Sequence, residues 1–183
     1  MDFEKVFRLL LANFDETKIN FALIGGFALA SWGYPRSTLD IDFLLDKNDL
    51  PGTKKLMVSY GYNISYESEE SISFQGGIAP LGRVDFILAH RDYTLAMLKR
   101  SITKDILDGK FKIKVVRAED LIGLKVQASS NDPERYHQDM ADIENLIKEN
   151  YSSLDFELIK EYFNIFKREN DLQDILGRVK NAK

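Results

Sequence analysis

The segment Leu39-Asp40-Ile41-Asp42-Phe43-Leu44-Leu45 constrains this chain more than any other stretch. Side chains alternate across a strand, so Leu39, Ile41 and Phe43 share one face and Asp40 and Asp42 the other. Two like charges on one face of an apolar strand are costly where water is scarce. Either a carboxyl is pushed toward its neutral form or a cation is recruited. Arg83-Val84-Asp85-Phe86-Ile87-Leu88 repeats the pattern with one carboxylate. If that strand pairs beside the first, Asp40, Asp42 and Asp85 converge. Three carboxylates on rigid strands suit two-metal phosphoryl chemistry, whose cations lie about 3.5–4 Å apart and share oxygen ligands. A solvated strand end accounts for an isolated Asp-x-Asp equally well.

Composition narrows the ligand chemistry. The chain has no cysteine and two histidines, which excludes disulfides and thiolate sites and disfavours a His-rich zinc site. Carboxylates remain as metal ligands, and they select hard cations such as Mg²⁺ or Mn²⁺. With 183 residues, 44% of them hydrophobic, folding buries roughly 70% of the surface of the unfolded chain, so intrinsic disorder is excluded. A net charge of −4 is no polycation, and a nucleic-acid partner would be held by a local patch. The N-terminal Met1-Asp2-Phe3-Glu4-Lys5 is acidic where a signal peptide carries bases. No run of about 18 apolar residues occurs. The expectation is a soluble, cytoplasmic protein with no membrane partner.

Upstream of the carboxylate strand, Phe21-Ala22-Leu23-Ile24 is a short apolar run closed by Gly25-Gly26, and residues 27–32 suit a short helix ending at Gly33. Backbone N–H groups exposed at such a turn favour phosphate. Apolar residues at steps of three and four predict a helix over 3–14. Further strands are expected near 62–66, 71–74, 83–88 and 111–116, and helices near 49–61, 91–100, 118–130, 133–149, 155–168 and 171–181. The expected architecture is a mixed α/β (α+β) fold, with a small mixed sheet flanked by helices over 1–117 and a C-terminal helical lobe over 118–183.

Ile24-Gly25-Gly26, thirteen intervening residues, Asp40-Ile41-Asp42 and a later strand carrying Asp85 resemble the signature of the DNA polymerase β-like nucleotidyltransferase superfamily. Within it, the chain resembles the minimal bacterial and archaeal branch that includes the toxins of AbiE-type toxin–antitoxin systems. There an Arg-Ser or Arg-Thr step precedes Asp-x-Asp, as Arg36-Ser37-Thr38 does here, and a Leu-x-x-Leu-Lys helix is followed by Arg and paired Asp. The resemblance spans about residues 20–147. It implies Mg²⁺- or Mn²⁺-dependent transfer from an NTP, Asp40, Asp42 and Asp85 as catalytic metal ligands, and Gly25, Gly26, Arg36 and Ser37 at the nucleotide. Gly26 stands where many members carry a serine whose hydroxyl helps hold phosphate, and Ser37 is the candidate substitute.

A second constellation lies downstream. On the helix over 118–130, Lys125 falls mid-face in the arc of Leu121, Leu124 and Ala128. A lysine there must snorkel, pair or face a ligand. On the next helix, Arg135, Asp139 and Asp142 share one flank, and Arg135 and Asp139 have the spacing of an ordinary i,i+4 pair. The resemblance implies that Lys125 is catalytic and contacts the triphosphate, with Asp139 and Asp142 orienting it or the nucleotide. Lys110, Lys112 and Lys114 share a strand face and, with Lys99, Arg100 and Lys104, suit either RNA phosphates or an edge strand guarded by lysines.

The reading is a nucleotidyltransferase that moves an NMP from an NTP to an acceptor hydroxyl and releases pyrophosphate. The acceptor is RNA (tRNA), a protein or a small alcohol, and in the toxin version an antitoxin protein is a partner. The alternatives are a non-catalytic nucleotide-binding or regulatory protein of the same fold, and a small-molecule transferase of the antibiotic-modifying kind.

Overall fold

The computed structural model describes residues 1–181. The fold is mixed α/β, and the contacts divide the chain into two compact units. One comprises Met1–Ala28 and Arg36–Val116, the other Leu29–Pro35 and Arg117–Lys183.

The first unit is built on a seven-stranded sheet. Its strands are β1 (Phe21–Ile24), β2 (Asp40–Asp46), β3 (Tyr62–Glu67), β4 (Ser71–Gly76), β5 (Arg83–Ala89), β6 (Ile102–Ile106) and β7 (Phe111–Val115), in the spatial order β3-β4-β5-β2-β1-β7-β6. The carboxylate strand β2 lies near the middle, antiparallel to β1 and parallel to β5. Helix α1 (Phe3–Glu16) buries Val6, Phe7, Leu10 and Phe14 completely, the 3.6-residue stripe that its sequence predicts. Phe7 and Phe14 meet Phe43 of β2 edge-on at 6.4 and 5.8 Å between centroids, and Phe43 stacks on Phe86 of β5 at 5.4 Å. Each such ring contributes roughly 1.5–3 kcal/mol on burial. This aromatic cluster clamps one face of β2, so the strand's register, and with it the face of its aspartates, is strongly specified.

Leu39 departs from expectation. It is 87% exposed, because pairing begins only at Asp40 and the residue before it overhangs the sheet. The sequence reading also lacks β6. Ile-Thr-Lys-Asp-Ile shows no clean alternation, and the strand forms by hairpin pairing with β7 across a turn in which Leu107, Asp108 and Gly109 all have positive φ. The lysine-bearing strand is therefore not an edge. It is β7, between β1 and β6, with Lys112 opposite Asp105 and Lys110 paired to Glu4 at 2.7 Å.

Tyr62 anchors the turn between β4 and β5: its buried hydroxyl donates to the Leu81 carbonyl at 2.9 Å. Burial pushes the phenol up to about 12 from its ordinary 10. Because the folded-state value is raised, the stability carried by the neutral phenol is fully present below pH 10 and is lost as pH rises toward 12. Tyr62→Phe leaves the carbonyl unpaired at a cost of about 1–2 kcal/mol. Urea unfolding at neutral pH should show that loss, and the variant should lose less stability than wild type between pH 10 and 12.

The second unit is helical. Its helices are α5 (Ala118–Asn131), α6 (Tyr136–Asn150), α7 (Phe156–Ile165) and α8 (Glu169–Asn181). Helix α5 is not the amphipathic helix its wheel suggests. Every residue from Ala118 to Val126 is buried, because α6 and α7 both pack on it. Its acidic first turn is hydrogen-bonded within the unit: Glu119 accepts from Arg117 at 3.1 Å and the Asp155 amide at 2.9 Å, and Asp120 accepts from the Tyr162 hydroxyl at 2.7 Å. A Cβ at Gly123 would come within 2.7 Å of the Tyr162 ring, so α5 and α7 approach too closely for any other residue there.

Candidate active site

Parallel pairing of β2 and β5 sets Asp42 directly opposite Asp85, and the antiparallel partner β4 sets Ser73 on the other side of Asp85. Period two brings Asp40 to the same face. One oxygen from each of Asp40, Asp42 and Asp85 lies within 4.8 Å of the others, and all three residues are half-buried. A small octahedral cation with ligands at about 2.0–2.1 Å holds oxygens at such separations. The donor set, three carboxylates on rigid strands, therefore fits a hard divalent metal ion.

Two neighbours hold these carboxylates. The Thr38 hydroxyl donates to Asp40 Oδ1 at 2.8 Å. The Arg83 guanidinium reaches the Asp85 carboxylate through Nε at 2.9 Å and Ser73 Oγ through Nη2 at 3.3 Å. Sequence reasoning assigned no role to Thr38 as a side chain or to Arg83. The signal was present, since both stand two residues before an aspartate, but only the side-chain contacts show that they turn toward it.

The two glycines beside the triad are shaped by it. Gly25 has φ +64°, and a Cβ there would lie 1.9 Å from Asp42 Oδ2. A Cβ on Gly26 would lie 2.7 Å from the Thr38 Cβ. Helix α2 (Gly25–Ser31) starts at the first of these glycines, and Phe27 is gripped by Phe3 and Phe7 at 4.8 and 5.1 Å. Gly25→Ala is accordingly expected to impose a left-handed backbone cost of roughly 1–2 kcal/mol and to displace Asp42. A displacement of about 1 Å at a reacting centre costs on the order of a hundredfold in rate. Gly52→Ala is the control, because nothing lies within 4 Å of a Cβ at Gly52 in helix α3 (Leu50–Ser59). It should leave the rate unchanged while Gly25→Ala lowers it. Arg36 is half-buried, with Nη1 3.4 Å from the Ser37 carbonyl, and Ser37 is exposed.

In the second unit, Lys125 of α5 is buried, with Nζ 3.0 Å from Asp139 Oδ1 and 2.5 Å from Asp142 Oδ2. Asp139 also accepts from Arg135 Nε at 3.2 Å. All four residues singled out in this unit thus meet in one cluster. His137 is exposed beside the Tyr136 ring.

The fold has counterparts among known proteins. No curated protein sequence matches the chain. By structure it is similar to ANT(2'')-Ia in complex with adenylyl-2''-tobramycin, with 15% identity, 91% of this chain and 98% of that one covered, and a TM-score of 0.67. It is also similar to an antigenic nucleotidyltransferase-like protein from Paracoccidioides brasiliensis, with 19% identity, coverage of 96% and 92%, and a TM-score of 0.54. A third is the lincomycin-bound lincosamide antibiotic adenylyltransferase LnuA, with 18% identity, coverage of 78% and 95%, and a TM-score of 0.52. At such identities the likeness is one of fold. The sequence model described as "Nucleotidyl transferase AbiEii toxin, Type IV TA system" matches residues 8–181. Spanning nearly the whole chain, that match makes this protein a nucleotidyltransferase and a member of the AbiEii toxin family.

Proposed function

We propose that the protein transfers an NMP from an NTP to an acceptor hydroxyl with Mg²⁺ as cofactor, releasing pyrophosphate. The observation that carries the reading is the convergence of Asp40, Asp42 and Asp85 on one strand face. Asp40 and Asp42 would hold the metal, and Asp85 would complete the site and take the proton of the acceptor hydroxyl. When bound, the metal neutralises phosphate charge and aligns donor with acceptor. The acceptor oxygen forms a bond to the α-phosphorus as the bond from that phosphorus to the bridging oxygen of pyrophosphate breaks. Gly25 and Gly26 are assigned to the β- and γ-phosphates on the strength of the family resemblance, with Gly25 half-buried and Gly26 buried at the start of α2. Arg36, Ser37, Lys125, Asp139 and Asp142 are assigned to the nucleotide on the strength of the family resemblance.

Membership in a family of toxin–antitoxin toxins supports an antitoxin as partner, and RNA, tRNA in particular, as acceptor and a cytoplasmic site of action are assigned on the strength of the family resemblance. Among the described residues no helix is long and apolar enough to cross a membrane. The antibiotic-modifying enzymes that share the fold supply a second acceptor class to test.

The test is transfer of α-³²P label from each of the four NTPs, with Mg²⁺ or Mn²⁺, onto total RNA, onto the protein itself and onto an aminoglycoside. Label in RNA is the expected result. Label confined to the aminoglycoside replaces the toxin reading with the small-molecule one. NTP binding by calorimetry with no labelled product of any kind overturns catalysis in favour of a binding protein.

A further inference from the structure

The approach to β2 contains an interlock between Thr38 and Gly26. A Cβ placed on Gly26 would lie 2.7 Å from Thr38 Cβ, 2.9 Å from Oγ1 and 3.2 Å from Cγ2. The whole Thr38 side chain therefore fills the space that a side chain at position 26 would take. Its two neighbours are turned out: Ser37 is exposed and Leu39 is 87% exposed. Thr38 stands two residues before Asp40, just outside the paired strand, and its hydroxyl turns to the Asp40 carboxylate. At that position its hydroxyl has one proton to give, and the shorter of its two contacts is Asp40 Oδ1 at 2.8 Å, against 3.3 Å to the Asp40 carbonyl.

We infer that Thr38 is a positioning residue for the metal site: it fixes the Asp40 carboxylate through its hydroxyl, and position 26 is glycine because Thr38 occupies its side-chain space. The inference rests on the metal-site reading of the triad. A carboxylate bonded through one oxygen can no longer rotate freely, so its other oxygen is held toward one direction. Groups that orient a metal ligand in this way typically change metal affinity or activity by about 10–100-fold when removed.

Three variants test it: Thr38→Val, which keeps the shape against Gly26 and loses the hydroxyl; Thr38→Ser, which keeps the hydroxyl; and Asp40→Asn/Asp42→Asn, which removes the ligands. The probe is Mn²⁺ alone, with free ion followed by electron paramagnetic resonance, so that no turnover is needed. Thr38→Val is expected to weaken Mn²⁺ binding about tenfold or more, with Thr38→Ser close to wild type. Equal Mn²⁺ affinity in Thr38→Val and wild type overturns the positioning role while leaving the metal site standing. Mn²⁺ binding that the double aspartate variant does not reduce overturns the metal site and the inference together. The packing half of the interlock is read separately by thermal unfolding. Gly26→Ser should lower the midpoint, and adding Thr38→Gly, which removes the Cβ that a side chain at position 26 meets first, should recover part of it. A Gly26→Ser protein as stable as wild type overturns that half.

Discussion

Asp40→Asn/Asp42→Asn is expected to abolish label transfer while leaving the protein folded. The two carboxylates provide most of the negative charge that faces a cation on this strand, and asparagine keeps their size and one oxygen each. The stabilisation that a metal centre supplies to phosphoryl transfer amounts to several kcal/mol, so the rate should fall about a thousandfold or more. Stability should move the other way or not at all. In metal-free buffer, three carboxylates with oxygens within 4.8 Å of one another repel, and two neutral amides relieve that repulsion. The expected pattern is a thermal midpoint in EDTA at or above that of wild type, no rise in midpoint on adding Mn²⁺, and no product. Full transfer by the variant removes the triad from the mechanism. A midpoint far below wild type in EDTA would mean that the aspartates serve the fold instead.

Lys125→Met should have the largest effect on stability. The lysine side chain is 7% exposed and the two carboxylates it serves are each 2% exposed. Removing the ammonium leaves Asp139 and Asp142 buried one helical turn apart, with Arg135, whose side chain is 57% exposed, still on Asp139. Breaking a buried ion cluster from one side costs about 3–5 kcal/mol, because both carboxylates lose the ammonium that offsets their burial. For a chain of this size that is a drop of roughly 10 °C or more in midpoint. Lys125→Met/Asp139→Asn/Asp142→Asn, which removes the charges together, should recover most of it. An unchanged midpoint in Lys125→Met overturns the argument. Catalysis is read apart from stability by assaying well below the variant's midpoint: a rate loss that persists there supports a role at the nucleotide, and a normal rate reduces the cluster to a structural one.

The sequence exposed the catalytic candidates because their chemistry conflicts with their surroundings. Asp40, Asp42 and Asp85 interrupt apolar strands, Lys125 interrupts an apolar helix, and such conflicts are visible without coordinates. Strands and helices with strong periodicity, such as α1 and β2, were legible for the same reason. β6 was not, since Ile102–Ile106 has little pattern of its own and becomes a strand through its partner β7. The continuous burial of α5 was hidden too, because it depends on α6 and α7 covering it and not on its own alternation.

Residue type and spacing were thus enough to state which groups carry charge into apolar segments and which face of β2 they share, since strand periodicity is a local property. Tertiary structure alone decided that Asp85 stands opposite Asp42, that Gly25 is bare because Asp42 Oδ2 lies where its Cβ would be, that Thr38 and Arg83 turn toward the triad, and that Lys125 meets both Asp139 and Asp142. Each of these is a meeting of side chains brought together by pairing or packing, and the distance between such groups is set by the register of strands and the approach of helices, which no local pattern encodes.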